Sequence, residues 1–173
     1  MFVRVKRVKG QDYGYLVENT WTGSGTRQKV MAYLGKILKP ARVKSEGLGG
    51  FLKLDSVGEY IRKSEYREAV KALVRLELYN HAVDDKIAAD FENFMVTKGG
   101  RNVVLALNEG FLCGHSLKRA LEYVPDEDYS GFLLADVLTG AGIKVEKDAF
   151  VALFEKLQGR EAEKKAEGMD FYY

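Results

Sequence analysis

The stretch that decides the fold is residues 2–34, which read FVRVKRVKGQDYGYLVENTWTGSGTRQKVMAYL. Three segments of this stretch alternate charged or aromatic side chains with β-branched ones, a period of two that is typical of strands. They are residues 2–9, 13–19 and 26–34. Glycine-containing turns separate them, so we expect an antiparallel meander. Residues 36–54 are a candidate fourth strand, and helical patterns begin after them.

Helical patterns dominate the rest of the chain. Ser56 and Glu59 have the spacing of a capping box. An apolar stripe with a 3.6-residue period then extends from Tyr66 to Glu77 and predicts a helix that ends near Asn80. Three later segments also fit helices, and one segment fits a β-hairpin. The helices are expected at 116–124, 130–140 and 147–157, and the hairpin at 94–107.

These elements predict the α+β class, because the strands and the helices are largely segregated along the chain. We expect an N-terminal antiparallel β module at residues 1–54. A mostly helical body with one β-hairpin follows at residues 55–160. Residues 161–173 form a charged tail with an aromatic end, and the nearly all charged or small residues 160–168 predict a solvated tether.

Composition narrows the class of protein further. The chain has 173 residues, the length of one ordinary domain or of two small ones, and 46% of them are hydrophobic, enough to build a core. No apolar run is long enough for a membrane span or a signal peptide. The single cysteine, Cys113, excludes an internal disulfide. We therefore expect a cytoplasmic protein that makes no membrane contact.

The small net charge of +2 hides a strong asymmetry. Residues 1–44 contain ten basic and two acidic side chains, a charge of +8. The remaining 129 residues, with 17 basic and 23 acidic side chains, carry −6. Such a split favours different partners for the two ends of the chain, or packing of the acidic part against the basic part.

Four short motifs at the N-terminus resemble the start of many DDE-type transposases of the insertion-sequence group. They are FVRVK at 2–6, YGYLVE at 13–18, RQKV at 27–30 and YLG at 33–35. The resemblance covers residues 1–37, about a fifth of the chain. It implies a small β module that associates with DNA, and it brings no catalytic residue. Residues 55–160 leave too little chain for a transposase core, so we interpret the protein as a stand-alone relative of the module.

The basic residues of the meander are interleaved with aromatic ones. Cations neutralise phosphates, and aromatic rings stack on unpaired bases. If the strand faces coincide, with Arg27, Lys29 and Tyr33 on one side of the third strand, the sheet predicts a DNA- or RNA-binding surface. Its candidate residues are Arg4, Lys6, Tyr13, Tyr15, Trp21, Arg27, Lys29 and Tyr33.

Two other functions stay open. The C-terminal end resembles the short motif by which proteins dock on the DNA sliding clamp, although Ala166 stands where that motif has glutamine. This predicts an interaction adaptor that binds a protein partner through its apolar tail, whose residues are Met169, Phe171, Tyr172 and Tyr173. The second alternative is a metal-dependent nuclease whose carboxylates meet only in the fold.

The remaining motifs favour structural roles, and we expect no cofactor and no metal. Residues 126–131 begin like a calcium loop, but Val137 stands where a bidentate carboxylate is required. Their acidic side chains suit a helix N-terminus instead. Cys113, His115 and Ser116 are sequence neighbours on a turn, which rarely creates a nucleophile with its base. The sequence therefore leans away from an enzyme.

Overall fold

The computed structural model describes residues 1–125 and 131–169, with side chains up to residue 159. It contains strands and helices in the segregated order that the sequence predicts. The strands are β1 (Phe2–Val8), β2 (Gln11–Thr22), β3 (Gly25–Leu38), β4 (Ile87–Asp90), β5 (Met95–Lys98), β6 (Arg101–Leu107) and β7 (Gly110–Leu112). The helices are α1 (Leu48–Leu52), α2 (Val57–Lys63), α3 (Tyr66–Asn80), α4 (Gly114–Leu121), α5 (Gly131–Gly140) and α6 (Lys147–Met169). The α+β class is confirmed.

The N-terminal meander is confirmed, and its second and third strands are longer than the alternation indicates. β1 pairs antiparallel with β2, and β2 pairs antiparallel with β3. The turn between β1 and β2 lies at Lys9 and Gly10, both of which have positive φ. Gly10 suits that conformation because it has no Cβ.

One expectation about a chain segment is wrong. Residues 36–54 do not add a fourth strand; β3 continues to Leu38, and the chain then forms the short helix α1. Pro40, which has no backbone N–H, follows the strand and cannot extend the hydrogen-bonded ladder. The backbone of the charged segment 160–168 belongs to α6, which continues to Met169, and the solvation of that segment stays a prediction.

One sheet joins the meander to the rest of the protein. Its strand order is β1-β2-β3-β6-β5-β4, and β7 pairs with the C-terminal half of β6. The link is a parallel pairing in which Lys36, Ile37 and Leu38 face Val103, Val104 and Leu105. The hairpin expected at 94–107 is confirmed as β5 and β6. The division into domains at residue 54 stays a prediction.

The two faces of β6 contribute to two different cores. Val103, Leu105 and Leu107 point into the main core, which the helices cover. Val104 points the other way and forms a small second core with Ile37 and Cys113. This alternation explains how one strand can be buried on both faces, as a central strand must be.

β3 approaches β6 closely at Gly35. Gly35 has a φ of 118°, and a Cβ there would clash with the carbonyl oxygen of Asn102. Only glycine allows both this backbone conformation and this close approach. Gly14 of β2 lies against the side chain of Val104. The base of the meander therefore packs against β6.

A buried polar network attaches the segment after β3 to the helices. Arg42 Nη1 donates to Glu77 Oε2 at 2.9 Å, and Asn108 Nδ2 donates to the same oxygen at 2.9 Å. The backbone N–H of Lys144 donates to Glu77 Oε1 at 3.2 Å. Since Glu77 is only 1% exposed, these bonds replace the water that its carboxylate loses. The network therefore joins four parts of the chain that are distant in sequence.

Candidate nucleic-acid interface

The distal part of β2 and β3 projects from the protein as a two-stranded ribbon. We call residues 18–32 the β-arm. β1 pairs with β2 only as far as Val17, and β3 meets β6 only from Lys36 onward. Between these points the described chain places no third strand beside the β-arm. Every residue from Thr26 to Tyr33 is exposed, so both faces of the ribbon contact solvent.

The alternation predicted for β3 is interrupted within the β-arm. β3 contains one extra residue relative to β2 at a bulge around Met31. Because side chains alternate between faces, this extra residue reverses the faces of Ala32 and Tyr33, and a second extra residue at Leu34 restores the alternation from Gly35 onward. Arg27 and Lys29 therefore lie on the opposite face from Tyr33. The prediction that these three share one face is wrong, since a register shift cannot be seen in a single strand's pattern.

The first face of the meander is aromatic and basic. Arg4 lies directly across from Tyr15, and Lys6 lies directly across from Tyr13. Cross-strand partners share a face, so these predicted residues come together. Tyr33 joins them from β3, where it pairs with Tyr15. We call Tyr13, Tyr15 and Tyr33 the tyrosine cluster.

The rings of the tyrosine cluster pack on one another. The ring centroids of Tyr15 and Tyr33 are 5.4 Å apart, and those of Tyr13 and Tyr33 are 6.2 Å apart. Tyr33 is 57% exposed, whereas the other two are half-buried. Partial desolvation, with the neighbouring phenols, raises the pKa of Tyr33 above its ordinary value. Its ring is therefore neutral at physiological pH and does not repel phosphate.

Two cations of the β-arm lie on its other face. Arg27 is directly across from Thr20, and Lys29 is directly across from Glu18. Neither cation forms an ion pair with any side chain that the structure describes. We call this side of the β-arm the cation face.

Several other basic residues of the N-terminal region are already neutralised. Lys39 Nζ lies 2.6 Å from Asp12 Oδ2, and Arg7 Nε lies 3.8 Å from Asp12 Oδ1. The hydrogen bond from Lys39 and the charges of both cations hold the pKa of Asp12 below its ordinary value. Arg42 is held by Glu77. The sequence excess of +8 therefore overstates the charge that is free to meet a partner.

The unneutralised cations cluster on the meander. Among the side chains that the structure describes, five basic residues of the N-terminal region have neither an ion pair nor a hydrogen bond. They are Lys6, Lys9, Arg27, Lys29 and Lys36. This surface retains positive charge with no internal partner, which is what an anionic ligand requires.

The opposite face of the β-arm carries amides that the sequence did not single out. Asn19 lies directly across from Gln28. Arg4 Nη1 donates a hydrogen bond to Gln28 Oε1. Trp21 follows two residues after Asn19 and is 78% exposed. We call Asn19, Gln28 and Trp21 the amide face; neutral amides give no charge pattern, so only the register reveals the Asn19–Gln28 pair.

The predicted apolar tail site begins at the C-terminal end of α6. Met169 is the last residue of α6, and Phe171, Tyr172 and Tyr173 lie outside the described residues. Docking of the tail on a protein partner stays a prediction. The acidic segment 126–130 is also outside the described residues.

The Cys113–Ser116 turn is a helix cap. Cys113 is the N-cap of α4, and its backbone N–H donates to Ser116 Oγ at 3.0 Å. Ser116 Oγ donates to the carbonyl oxygen of Phe111 at 2.6 Å. The helix predicted at 116–124 therefore begins at Gly114, and Ser116 occupies its third position, as in a capping box.

The described side chains contain no group of three His, Cys, Asp or Glu residues that could hold a metal ion. Such a group is what the nuclease alternative requires. None of the helices that the structure describes combines the length and the apolar character needed to cross a bilayer.

No family model, curated protein or solved structure matches the chain.

Proposed function

We propose that the protein is a non-enzymatic nucleic-acid-binding protein that contacts its ligand through the N-terminal meander and its β-arm. The observation that carries the proposal is the pair of exposed, unneutralised cations Arg27 and Lys29 on a projecting ribbon. An exposed cation without an internal partner can approach a phosphate and release a condensed counterion. The β-arm is therefore suited to an anionic polymer.

Two further observations support the proposal. Lys6, Lys9 and Lys36 continue the positive charge along the base of the meander. Arg7, Lys39 and Arg42 are occupied by internal partners, so the free positive charge of the N-terminal region is carried by residues of the meander. The likeness of residues 1–37 to the N-terminal module of insertion-sequence transposases points in the same direction, and we propose kinship with that module.

The test is a binding titration of the full chain with fluorescently labelled DNA and RNA, each single- and double-stranded. We expect binding to at least one of these polymers, weakened in a variant with Arg27→Ala and Lys29→Ala. Loss of two phosphate contacts should weaken binding roughly tenfold at low salt. Since both side chains are exposed and unpaired, the variant should keep its fold, which circular dichroism can verify.

The matched control removes the same charge elsewhere. Lys86, in the turn before β4, and Lys147, at the start of α6, are exposed cations that lie far along the chain from the β-arm. A variant with Lys86→Ala and Lys147→Ala should bind nearly as tightly as the wild type. Equal weakening in the two variants would mean that net charge alone governs binding. Absence of binding to all four polymers would overturn the proposal.

A further inference from the structure

The dimensions of the β-arm restrict the polymer that it can enter. Five ladder pairs, from Glu18–Lys29 to Thr22–Gly25, have no third strand beside them in the described chain. Such a ribbon is about 17 Å long at roughly 3.4 Å per residue, and its two strands are about 4.8 Å apart. The major groove of undeformed B-form DNA, about 12 Å wide, admits a two-stranded ribbon. The minor groove, about 6 Å wide, receives strands only at the cost of bending or unstacking the duplex.

The two faces of the β-arm have the chemistry that such a groove requires. The amide face presents Asn19 and Gln28 side by side, and amides match the donor and acceptor edge of adenine in the major groove. Trp21 extends the same face towards the turn, where its apolar ring can meet thymine methyl groups. Arg27 and Lys29 leave from the other face, and their long side chains can reach the phosphates that flank the groove.

The tyrosine cluster argues against a single strand as the ligand. Proteins that bind single strands present successive open aromatic faces on which bases stack. Here Tyr13 and Tyr15 are half-buried, and both pack against Tyr33. Tyr33 and Trp21 are the most exposed aromatic residues of the meander, and they do not adjoin, since Trp21 lies near the turn of the β-arm and Tyr33 lies just outside its base. A-form RNA is also a poor fit, because its major groove is too deep and narrow for side chains to read.

We propose that the β-arm inserts into the major groove of duplex DNA with its amide face towards the base edges and its cation face contributing to phosphates. This inference rests on the proposed function and adds the polymer, the groove and the orientation. Asn19, Gln28 and Trp21 become the residues that read the bases. Arg4 becomes a positioning residue, since its hydrogen bond fixes the side chain of Gln28.

The experiment compares one mixed-sequence DNA duplex of about two helical turns, the RNA duplex of the same sequence and the single DNA strand. Trp21 is the only tryptophan in the chain, so its fluorescence reports directly on the β-arm. We expect the DNA duplex to bind at least tenfold more tightly than the other two and to shift the Trp21 emission. Methyl green, which occupies the major groove, should displace the protein, and netropsin, which occupies the minor groove, should not.

Base readout is tested by substitution. A variant with Asn19→Ala and Gln28→Ala should bind all duplex sequences with similar affinity, whereas the wild type should discriminate among a panel of duplexes. Its salt dependence should be unchanged, since phosphate contacts remain. Displacement by netropsin alone, or binding of RNA or the single strand as tight as that of duplex DNA, would overturn the groove assignment and leave the proposed function standing. Failure to bind any polymer would overturn both.

Discussion

Glu77 is the residue whose surroundings matter most for the link between the meander and the helices. Its carboxylate accepts hydrogen bonds from Arg42 and Asn108 and from the backbone N–H of Lys144. His81 Nδ1 lies 3.5 Å from the same carboxylate. Removal of one member of a buried ion pair leaves the other charge without compensation, which is costly.

Replacement of Glu77 by alanine should therefore destabilise the whole protein. Arg42 keeps partial access to water, so we expect a loss near the lower end for buried pairs, about 3 kcal/mol in the free energy of unfolding. Urea denaturation followed by circular dichroism measures this loss. Glu92 pairs with Lys71 and Arg67 at the surface, and Glu92→Ala should leave the unfolding midpoint nearly unchanged. A similar, small effect of both substitutions would contradict the role of the network.

Some residues of the candidate site and of the buried network are recognisable from the sequence, and others are not. Arg27 and Lys29 are recognisable because charge between β-branched residues marks an exposed strand position. Glu77 fits the apolar stripe of α3 by spacing, but its burial depends on partners that lie 31 and 35 residues away. Asn19 and Gln28 are recognisable as a candidate binding pair only from the strand register, which places them opposite each other.

The β-arm is the element on which the functional account depends. A strand with strict alternation is expected to bury one face, yet the β-arm buries neither. The sequence predicted the strands correctly because their local pattern is strong. It could not predict the bulge near Met31 or the exposure of both faces, since both depend on where β1 and β6 stop pairing.

Removal of the only acidic residue of the β-arm should strengthen binding, whereas removal of its cations should weaken it. Glu18 lies directly across from Lys29 and reduces the positive potential of the cation face. The change Glu18→Gln should therefore strengthen nucleic-acid binding, by roughly two- to fivefold at low salt. Anisotropy titrations at two salt concentrations measure the effect, which should shrink as salt rises.

Asp85 provides the matched control for that substitution. It is exposed and lies in the turn before β4, away from the β-arm in the chain. Asp85→Asn removes the same charge and should leave affinity almost unchanged. If Glu18→Gln weakened binding, the cation face could not be the surface that meets the phosphates.

At the scale of the whole molecule, the fold separates two tasks. The main core lies between one face of the sheet and the helices, and it contains most of the buried apolar residues. The meander adds only a small second core around Ile37, Val104 and Cys113. The outer part of the meander is not buried, so its charged side chains stay hydrated and avoid the free-energy cost of burying a charge.

The elements missing from the sequence prediction are the short ones. α1, β4 and β7 contain three to five residues each, too few for a period of 2 or 3.6 to be recognisable. The parallel pairing of β3 with β6 was also not predicted, because it joins segments more than 60 residues apart. That pairing connects the meander to the body within one sheet.

The most direct test of the account is the salt dependence of binding, measured for the wild type and for the variant with Arg27→Ala and Lys29→Ala. Each phosphate contact contributes about 0.9 to the slope of log affinity against log salt on duplex DNA. We predict that the double substitution reduces the magnitude of that slope by about 1.8, whereas the Lys86→Ala and Lys147→Ala control retains the wild-type slope. A wild-type slope in the Arg27→Ala and Lys29→Ala variant would contradict the claim that the β-arm holds the nucleic acid.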